Sequence, residues 1–158
     1  MHPSLASNVI KNRPCRFDVF YIKDPVFYIT CCTLDRRPIR ELSAGHDAFS
    51  RYGERATQHN VAVGRYVLVP DHLHLFVKGD ANFLLSRWMG GLKRAIAVAL
   101  RCRSRELWQP GFFDHVLRSD ESYADKWNYV SENPVRAGLV RDASEWPYQG
   151  EIVIIDSV

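Results

Sequence analysis

The sequence predicts an α+β fold: a ferredoxin-like antiparallel sheet with helices packed on one face, followed by a C-terminal helix that carries a tyrosine. Three observations lead to this prediction. The predicted elements run in the order strand, helix, strand, strand, helix, strand. The second and third strands are separated only by Pro70-Asp71, which is typical of a short hairpin turn. A third helix then follows, in which Tyr129 lies off the apolar stripe.

Each element follows from its apolar pattern. The strand segments are short, rich in β-branched or aromatic residues, and bounded by polar or proline-containing turns. The helix segments repeat apolar residues every three or four positions, which gives each helix one face to pack on a sheet. The predicted bounds are strand Val26–Leu34, helix Ala44–His59, strands Val61–Val69 and His72–Lys78, helix Asn82–Arg101, strand Phe112–Leu117, helix Ser122–Glu132 and a strand-like Ile152–Ile155.

The first two helices are predicted to pack on the same side of the sheet. In the first helix, the stripe consists of Phe49, Tyr52 and Ala56. The second helix has Asn82 as its expected N-cap and a longer stripe. The residues of that longer stripe are Leu85, Trp88, Met89, Leu92, Ile96 and Ala99. Because both helices are expected on one face, the other face of the sheet is predicted to be free for a ligand.

Length and composition indicate one globular domain. A chain of 158 residues can bury its own core, and residues 25–158 are predicted to form a single catalytic domain after a polar, proline-interrupted and flexible segment at 1–24. The net charge of +3 permits a polyanionic partner without requiring one. The four cysteines show no C-x-x-C spacing, and no apolar stretch has the length of a signal peptide core or a membrane span. We therefore expect a cytoplasmic protein with no membrane association.

Two histidines on the third predicted strand form a candidate metal site. Side chains alternate between the faces of a strand, so His72 and His74 lie side by side on the face opposite the intervening leucines. Neutral imidazoles placed in this way can coordinate a divalent ion. A structural role is the commoner use of a histidine, and a His-x-His pair in a chain with six histidines can also arise by chance.

The third predicted helix carries a candidate nucleophile. Its apolar stripe consists of Tyr123, Trp127 and Val130. Tyr129 lies off this stripe and shares a helix face with Lys126 and Asn133, so a phenol, an ammonium and an amide can converge there. A half-exposed tyrosine without a chemical role is the simpler interpretation. The combination with the two histidines favours the functional one.

Three segments of the chain resemble one known family. They are YVLVPDHLHLFVKG at 66–79, LWQPGFFDHVLRSDE at 107–121 and YVSENPVRAGLV at 129–140. In this order they are similar to the single-tyrosine transposases of the HUH endonuclease superfamily, and most closely to the REP-associated branch of the IS200-like family. The likeness extends from about Phe27 to Trp146.

The resemblance implies a specific chemistry. It assigns the metal to His72, His74 and Asn133 and the nucleophile to Tyr129. Independently of the resemblance, Lys126 is a candidate support, because a nearby ammonium favours the phenolate form of Tyr129. The implied cofactor is Mg²⁺ or Mn²⁺, and the implied reaction is cleavage and rejoining of single-stranded DNA at palindromic repeats through a 5′-phosphotyrosine intermediate. No Walker A motif is present, consistent with a reaction that keeps the bond energy and uses no ATP.

Arginines supply the predicted surface for single-stranded or hairpin DNA, because guanidinium groups suit phosphate and guanine. The candidates are Arg13, Arg16, Arg36, Arg37, Arg87, Arg94 and Arg101, the last three repeating every seven residues along the second helix. A solvated face is the commoner explanation of such a stripe. A non-catalytic ferredoxin-like nucleic-acid-binding protein is the main alternative, although the aromatic motif of RNA-recognition domains is absent. Both a monomer and a homodimer stay open.

Overall fold

A five-stranded antiparallel sheet forms the centre of the computed structural model, which describes residues 25–118 and 122–155. Its strands are ordered β4-β1-β3-β2-β5. Their bounds are β1 Val26–Cys32, β2 Val61–Val69, β3 His72–Gly79, β4 Phe113–Val116 and β5 Gln149–Glu151. The fold class predicted from the sequence is confirmed. The predicted flexible segment at 1–24 lies outside the described residues.

Helices pack on both faces of this sheet. Their bounds are α1 Leu42–Ala56, α2 Leu85–Ala99, α3 Ser104–Leu107, α4 Tyr123–Val130 and α5 Asn133–Arg136, with short 3-10 turns at Leu34–Arg36, Thr57–His59 and Ala143–Glu145. Among the described residues, no helix is both long enough and apolar enough to cross a bilayer.

The face under α1 and α2 holds the larger apolar core. Leu73, Leu75 and Val77 of β3 are fully buried there, and the Phe49 ring of α1 and Met89 of α2 are buried with them. These positions follow the predicted alternation of the strand and the predicted stripes of the helices. One boundary differs, because α2 begins at Leu85 with Leu84 as its N-cap, whereas Asn82 was expected to cap it.

The N-terminal boundary of α2 has a local explanation. The main-chain N–H of Asn82 donates to Oδ1 of Asp80 at 2.9 Å, so Asn82 belongs to a turn that Asp80 stabilises before the helix starts. Asp and Asn compete in this way with helical hydrogen bonds.

The second face of the sheet is covered over much of its area, so the prediction that it would be free is wrong. Phe76 of β3 has no exposed surface and packs against the rings of Tyr123 and Trp127 on α4. Val130, on the same helix stripe, packs on β2. The predicted stripe of α4 is therefore confirmed, and it is this stripe that requires α4 to cover the sheet rather than project from it.

A bulge in β2 anchors α4 to the sheet. The pairing of β2 with β3 shifts register between Val63 and Tyr66, and the N–H of Arg65 at this bulge donates to the Tyr123 hydroxyl at 2.8 Å. A Cβ added to Gly64 would lie 2.3 Å from that hydroxyl, so only glycine allows this close approach.

The last strand is also displaced from its predicted position. Gln149–Glu151 forms β5 on β2, whereas Ile152–Ile155 was expected to be strand-like. The N–H groups of Ile152 and Val153 still donate to Gly64 and Val63, after which Ile155 turns inward and becomes buried against Phe76. The apolar run thus serves the second core rather than continuing the pairing.

Candidate functional site

The two histidines of the sequence motif lie side by side at the start of β3. Their ring centroids are 4.6 Å apart, and the rings are inclined at 78°. They lie on the face that α4 covers, across from Cys32 and Thr30 of β1 in the pairing register. The His74 side chain is buried, whereas His72 is nearer the surface.

The Nδ1 atom of His72 is held by the residue that precedes it. Oδ1 of Asp71 lies 2.8 Å from this nitrogen, and a carboxylate can only accept, so Nδ1 carries the proton. The Arg36 guanidinium pairs with the other carboxylate oxygen of Asp71 at 3.1 Å. Its 3.4 Å approach to Nδ1 of His72 therefore joins two donors and is not a hydrogen bond. This arrangement leaves the lone pair of His72 on Nε2.

The Nδ1 atom of His74 is held by two hydroxyl groups from β1. Oγ1 of Thr30 lies 2.8 Å from it and Oη of Tyr28 lies 2.9 Å from it. Thr30 directs its own proton to Tyr28, so its oxygen is available to accept from Nδ1–H of His74. The tautomer favoured by these contacts again places the lone pair on Nε2, as is usual for histidines that bind metals.

Both imidazoles are neutral at neutral pH. Burial lowers the pKa of His74 to about 3, and the positive charges of His72, Arg136, Arg36 and Lys126 contribute in the same direction. Burial also lowers the pKa of His72, although the Asp71 carboxylate opposes this shift. Only a neutral imidazole can donate a lone pair to a cation. The site therefore keeps its histidines in the protonation state that metal binding requires.

Asn133 joins the histidines from the opposite element. It is the first residue of α5, and its Nδ2 donates to the main-chain oxygen of Val130 at 2.8 Å. Its side chain also lies near His72 and contributes in the direction of a higher pKa for that histidine. Because Nδ2 is used on Val130, the amide oxygen is the atom free to act as a donor to a cation.

Tyr129 lies on the exposed side of α4, with 67% of its surface accessible. Its hydroxyl is close enough to Tyr28 for its charge to contribute to the raised pKa of Tyr28, for which burial is the main cause. The Arg136 guanidinium lies over its ring, 4.2 Å from the centroid. The nucleophile predicted from the sequence is therefore accessible, and its role stays a prediction.

Lys126 lies over an aromatic ring of β1. Its Nζ lies over the ring of Tyr28, 4.8 Å from the centroid, and its side chain is half-buried. It faces the support of His74 and adds positive charge there. Its supporting role stays a prediction.

The arginines predicted to bind DNA are dispersed. Arg36 reaches the histidines, and its backbone has a φ of 55°, in the left-handed region that a residue with a side chain seldom adopts. Arg37 is exposed and pairs with Asp35 at 3.5 Å. Arg87 and Arg94 lie on the outer side of α2, in the layer opposite the histidines.

The remaining predicted arginines are Arg101, Arg13 and Arg16. Arg101 lies beyond the end of α2, in a left-handed turn with φ of 60°, so the predicted stripe of three does not lie on one helix. Arg13 and Arg16 lie outside the described residues.

Several residues that support the site were missed in the sequence. They are Tyr28, Thr30, Asp71 and Arg136. Tyr28 and Thr30 could have been found, because the antiparallel pairing of β1 with β3 places their side chains on the face of the histidines. Arg136 gave no such signal, since its contact depends on the break between α4 and α5.

Two imidazoles and an amide are side-chain types that can bind a divalent cation. Within residues 25–118 and 122–155, no group of three or more His, Cys, Asp or Glu side chains is placed to hold one. A third protein ligand beside the two imidazoles must then come from another residue type, and Asn133, whose side chain lies near His72, carries an amide oxygen. Two nitrogens and one oxygen form a set that Mn²⁺ accepts readily and that Mg²⁺ accepts less readily.

Comparisons with known proteins agree with one another. Residues 25–133 match the family model described as Transposase IS200 like. A REP-associated tyrosine transposase of Escherichia coli K12 is 33% identical over 89 residues, which cover 54% of this chain and 52% of that protein. A Haemophilus influenzae protein provisionally given the same name is 25% identical over 143 residues, covering 81% and 80% of the two chains.

A solved structure is similar in fold. It shows a REP-associated tyrosine transposase bound to a REP hairpin, and it superimposes with a TM-score of 0.68 at 22% sequence identity. The similarity covers 82% of this chain and 78% of that one. The chain spans about half the length of the Escherichia coli relative it matches.

Proposed function

Because the chain belongs to the IS200-like transposase family, we propose that it is a metal-dependent endonuclease and strand transferase that cleaves single-stranded DNA at palindromic repeats through a 5′-phosphotyrosine intermediate. One observation carries the proposal. Side chains of β1 and of the loop before β3 fix the Nδ1 atoms of two neutral imidazoles, the Asn133 side chain at the start of α5 lies beside one of them, and Tyr129 at the end of α4 is exposed.

Tyr129 is the proposed nucleophile. Its phenolic oxygen forms a bond to the phosphorus, the bond from phosphorus to the 3′ oxygen breaks, and the 3′ oxygen leaves as a hydroxyl after taking up a proton from solvent. The phenolic proton is lost to solvent. A later attack by a 3′-hydroxyl on the phosphotyrosine reverses these changes and rejoins DNA without ATP.

His72, His74 and Asn133 would hold the metal through Nε2 of each imidazole and the amide oxygen. A bound Mg²⁺ or Mn²⁺ would neutralise charge on the phosphate and orient the bond to be broken. Asp71 supports His72, and Thr30 with Tyr28 supports His74, so the imidazoles keep the tautomer in which they can bind. These supports are contributed by the fold before any ligand arrives.

Positive charge around the histidines fits a DNA substrate. Arg36, Lys126 and Arg136 all act on His74, and the phosphate of DNA is the anion that such a site suits. Hairpin DNA is the proposed partner because the similar solved structure has a REP hairpin bound. Contacts of DNA with Arg37, Arg87, Arg94 and Arg101 stay predictions. Arg87 and Arg94 lie on α2, so they could contact only DNA on the side of the sheet opposite the histidines.

The test is covalent capture. The full-length protein with Mn²⁺ or Mg²⁺ is mixed with labelled single-stranded DNA that carries a palindrome and its flanking sequence, taken from repeats near the gene. We expect a protein–DNA adduct that survives denaturing electrophoresis and maps to Tyr129 by mass spectrometry. Tyr129→Phe removes the nucleophilic oxygen, so no adduct should form.

A matched control isolates the nucleophile. Tyr52→Phe also deletes one phenolic oxygen, but Tyr52 lies in the α1–α2 layer and its hydroxyl donates to the carbonyl of Trp88. This variant should form the adduct like wild type. DNA binding by wild type without cleavage would instead support the non-catalytic alternative, and cleavage by Tyr129→Phe at the wild-type rate would refute the assignment of the nucleophile.

A further inference from the structure

Arg136 makes two contacts with one residue. Its guanidinium carbon lies 4.2 Å from the centroid of the Tyr129 ring, and its Nη2 donates to the main-chain oxygen of Tyr129 at 2.9 Å. The two residues are seven positions apart and belong to different helices, α4 and α5. One side chain therefore holds both the ring and the backbone of Tyr129.

The backbone contact arises because α4 ends at this point. Carbonyl groups in the last turn of a helix have no partner within the helix, and a cation near a helix C-terminus is favourable. α4 ends at Val130, and α5 begins at Asn133 with Pro134 in its first turn. The carbonyl of Tyr129 accepts from the main-chain N–H of Glu132 at 3.3 Å, and Arg136 donates a second, shorter hydrogen bond to it across this break.

The ring contact needs a different explanation. Tyr129 is 67% exposed, so burial does not fix the orientation of its phenol. A guanidinium over an aromatic face is attracted by the ring and restricts its rotation. A residue that only capped the helix would not need to lie over the ring.

The short helix α5 links the two halves of the site. Asn133, its first residue, contacts His72, and Arg136, its last, contacts Tyr129. Residues three positions apart on a helix lie on the same face. One helical turn therefore fixes the distance between the proposed metal ligands and the proposed nucleophile.

The positive charge of Arg136 acts on two groups of the site, His74 and Tyr28. Among the residues that the structure describes, no ion pair to Arg136 is present; its charge adds to the burial that lowers the pKa of His74 and partly opposes the burial that raises the pKa of Tyr28. The guanidinium thus keeps its positive charge uncompensated beside the place where the phosphate would bind.

We propose that Arg136 is a positioning residue, which holds the Tyr129 phenol in the orientation from which it attacks the phosphate. The inference rests on the proposed function, since it assigns a role in the same reaction. Positioning of this kind acts on the chemical step, because a nucleophile that samples many orientations reaches the reactive one less often.

The experiment compares Arg136→Gln and Arg136→Lys with wild type in the full-length protein. Gln removes the charge and the planar stacking, whereas Lys keeps the charge and part of the ring contact. We expect Arg136→Gln to slow adduct formation in a single turnover at saturating DNA by about 10- to 100-fold. The affinity for an uncleavable hairpin should fall by a much smaller factor than the rate, and the rate of Arg136→Lys should lie between those of Arg136→Gln and wild type.

A second measurement reports on the contact without any reaction. With 3-fluorotyrosine at position 129, the ¹⁹F resonance of wild type should differ from that of free 3-fluorotyrosine, because the ring is held under a cation. In Arg136→Gln the resonance should move towards the free value. Arg141→Gln is the matched control, since Arg141 is an exposed arginine on the same C-terminal segment and outside the site.

The outcomes separate the two proposals. If wild type forms no adduct, the proposed function fails, while the ¹⁹F resonance still reports whether Arg136 holds the ring. If wild type reacts and Arg136→Gln reacts at the same rate, the positioning role is wrong. Equal losses in DNA affinity and in rate would identify Arg136 as a residue that binds DNA instead. If Arg136→Gln has a lower Tm than wild type but Arg136→Lys folds normally, the positioning role is judged from the rate of adduct formation by Arg136→Lys.

Discussion

The two faces of the sheet use the same strand for different purposes. On one face of β3, Leu73, Leu75 and Val77 are buried in a dry core with α1 and α2. On the other, His72 and His74 lie among hydroxyl, carboxylate and amide groups beneath the end of α4. The first face stabilises the fold by removing apolar surface from water, and the second holds polar groups in fixed positions.

This difference shows how one strand can carry both stability and chemistry. Alternating side chains let mutations on one face leave the other nearly untouched. Each buried polar atom of the site face must have a partner, and in the described part of the chain no buried side-chain nitrogen or oxygen is left without one. The site face should therefore respond to small polar changes, and the core face to changes in volume.

The largest effect is expected from a volume change on the core face. Leu75→Ala removes a side chain with no exposed surface, and the cavity it leaves should destabilise the protein by about 2–5 kcal/mol. Urea unfolding measures this loss. The fraction that stays folded should still form the Tyr129 adduct at the wild-type rate, because Leu75 points away from the histidines.

Val98→Ala is the matched control for Leu75→Ala. Val98 is an apolar residue of α2 that is 68% exposed, so its truncation should change the free energy of unfolding by less than about 0.5 kcal/mol. A folded Leu75→Ala protein that has lost its activity would show that the two faces are coupled. It would contradict the expectation that a change on one face of β3 leaves the other nearly unaffected.

An intermediate effect is expected from a polar change on the site face. Thr30→Val keeps the shape of the side chain but removes the oxygen that accepts from Nδ1 of His74. Loss of such a support should weaken Mn²⁺ binding by about 10- to 100-fold. Titration of the metal-free protein with Mn²⁺, followed by calorimetry, measures the affinity directly.

Thr57→Val serves as the control, since Thr57 is exposed and its hydroxyl donates only to a nearby carbonyl of α1. It should bind Mn²⁺ like wild type. An unchanged affinity in Thr30→Val would mean that the Tyr28 hydroxyl alone orients His74, and the proposed role of Thr30 would be withdrawn.

The same comparison explains what the sequence could predict. Apolar periodicity describes a face that packs on a sheet, so the stripes of α1, α2 and α4 and the alternation of β3 were predicted correctly. Periodicity alone could not show that α4 covers the second face, because both faces of a central strand can be buried. The packing of Phe76 under Tyr123 and Trp127 is a tertiary outcome of that kind.

The candidate site was predictable only in part, for a related reason. His72, His74, Tyr129 and Asn133 were selected from spacing and from resemblance. The structure brings His72, His74 and Asn133 close to one another, and the roles of all four residues stay predictions. Their supports were not selected, because they are joined to the site by strand register and by the break after α4 rather than by position in the sequence. Arg87 and Arg94 show the reverse case, in which regular spacing selected residues that lie in the opposite layer.

The smallest effect is expected from a histidine on the core face, His46 of α1. Its Nε2 lies 2.8 Å from the Tyr66 hydroxyl, and burial lowers its pKa below the ordinary value of 6.5, against a smaller opposing effect of Asp47. Nε2 of the neutral ring accepts a hydrogen bond from the Tyr66 hydroxyl, which a charged ring cannot do. Because the unfolded chain binds a proton here more readily than the folded chain, His46 should lose its stabilising contribution as the pH falls below about 6.5.

His46→Gln tests this sign, since glutamine keeps an acceptor for Tyr66 but does not titrate. The stability of wild type relative to the variant, measured by urea unfolding, should be greatest near pH 7.5 and should shrink as the pH falls towards 5. His59→Gln, at an exposed position after α1, controls for the loss of a surface histidine. A wild-type advantage that grew on acidification would mean that His46 is stabilised in its charged form. In that case the core face, like the site face, would use a polar contact to hold a particular protonation state.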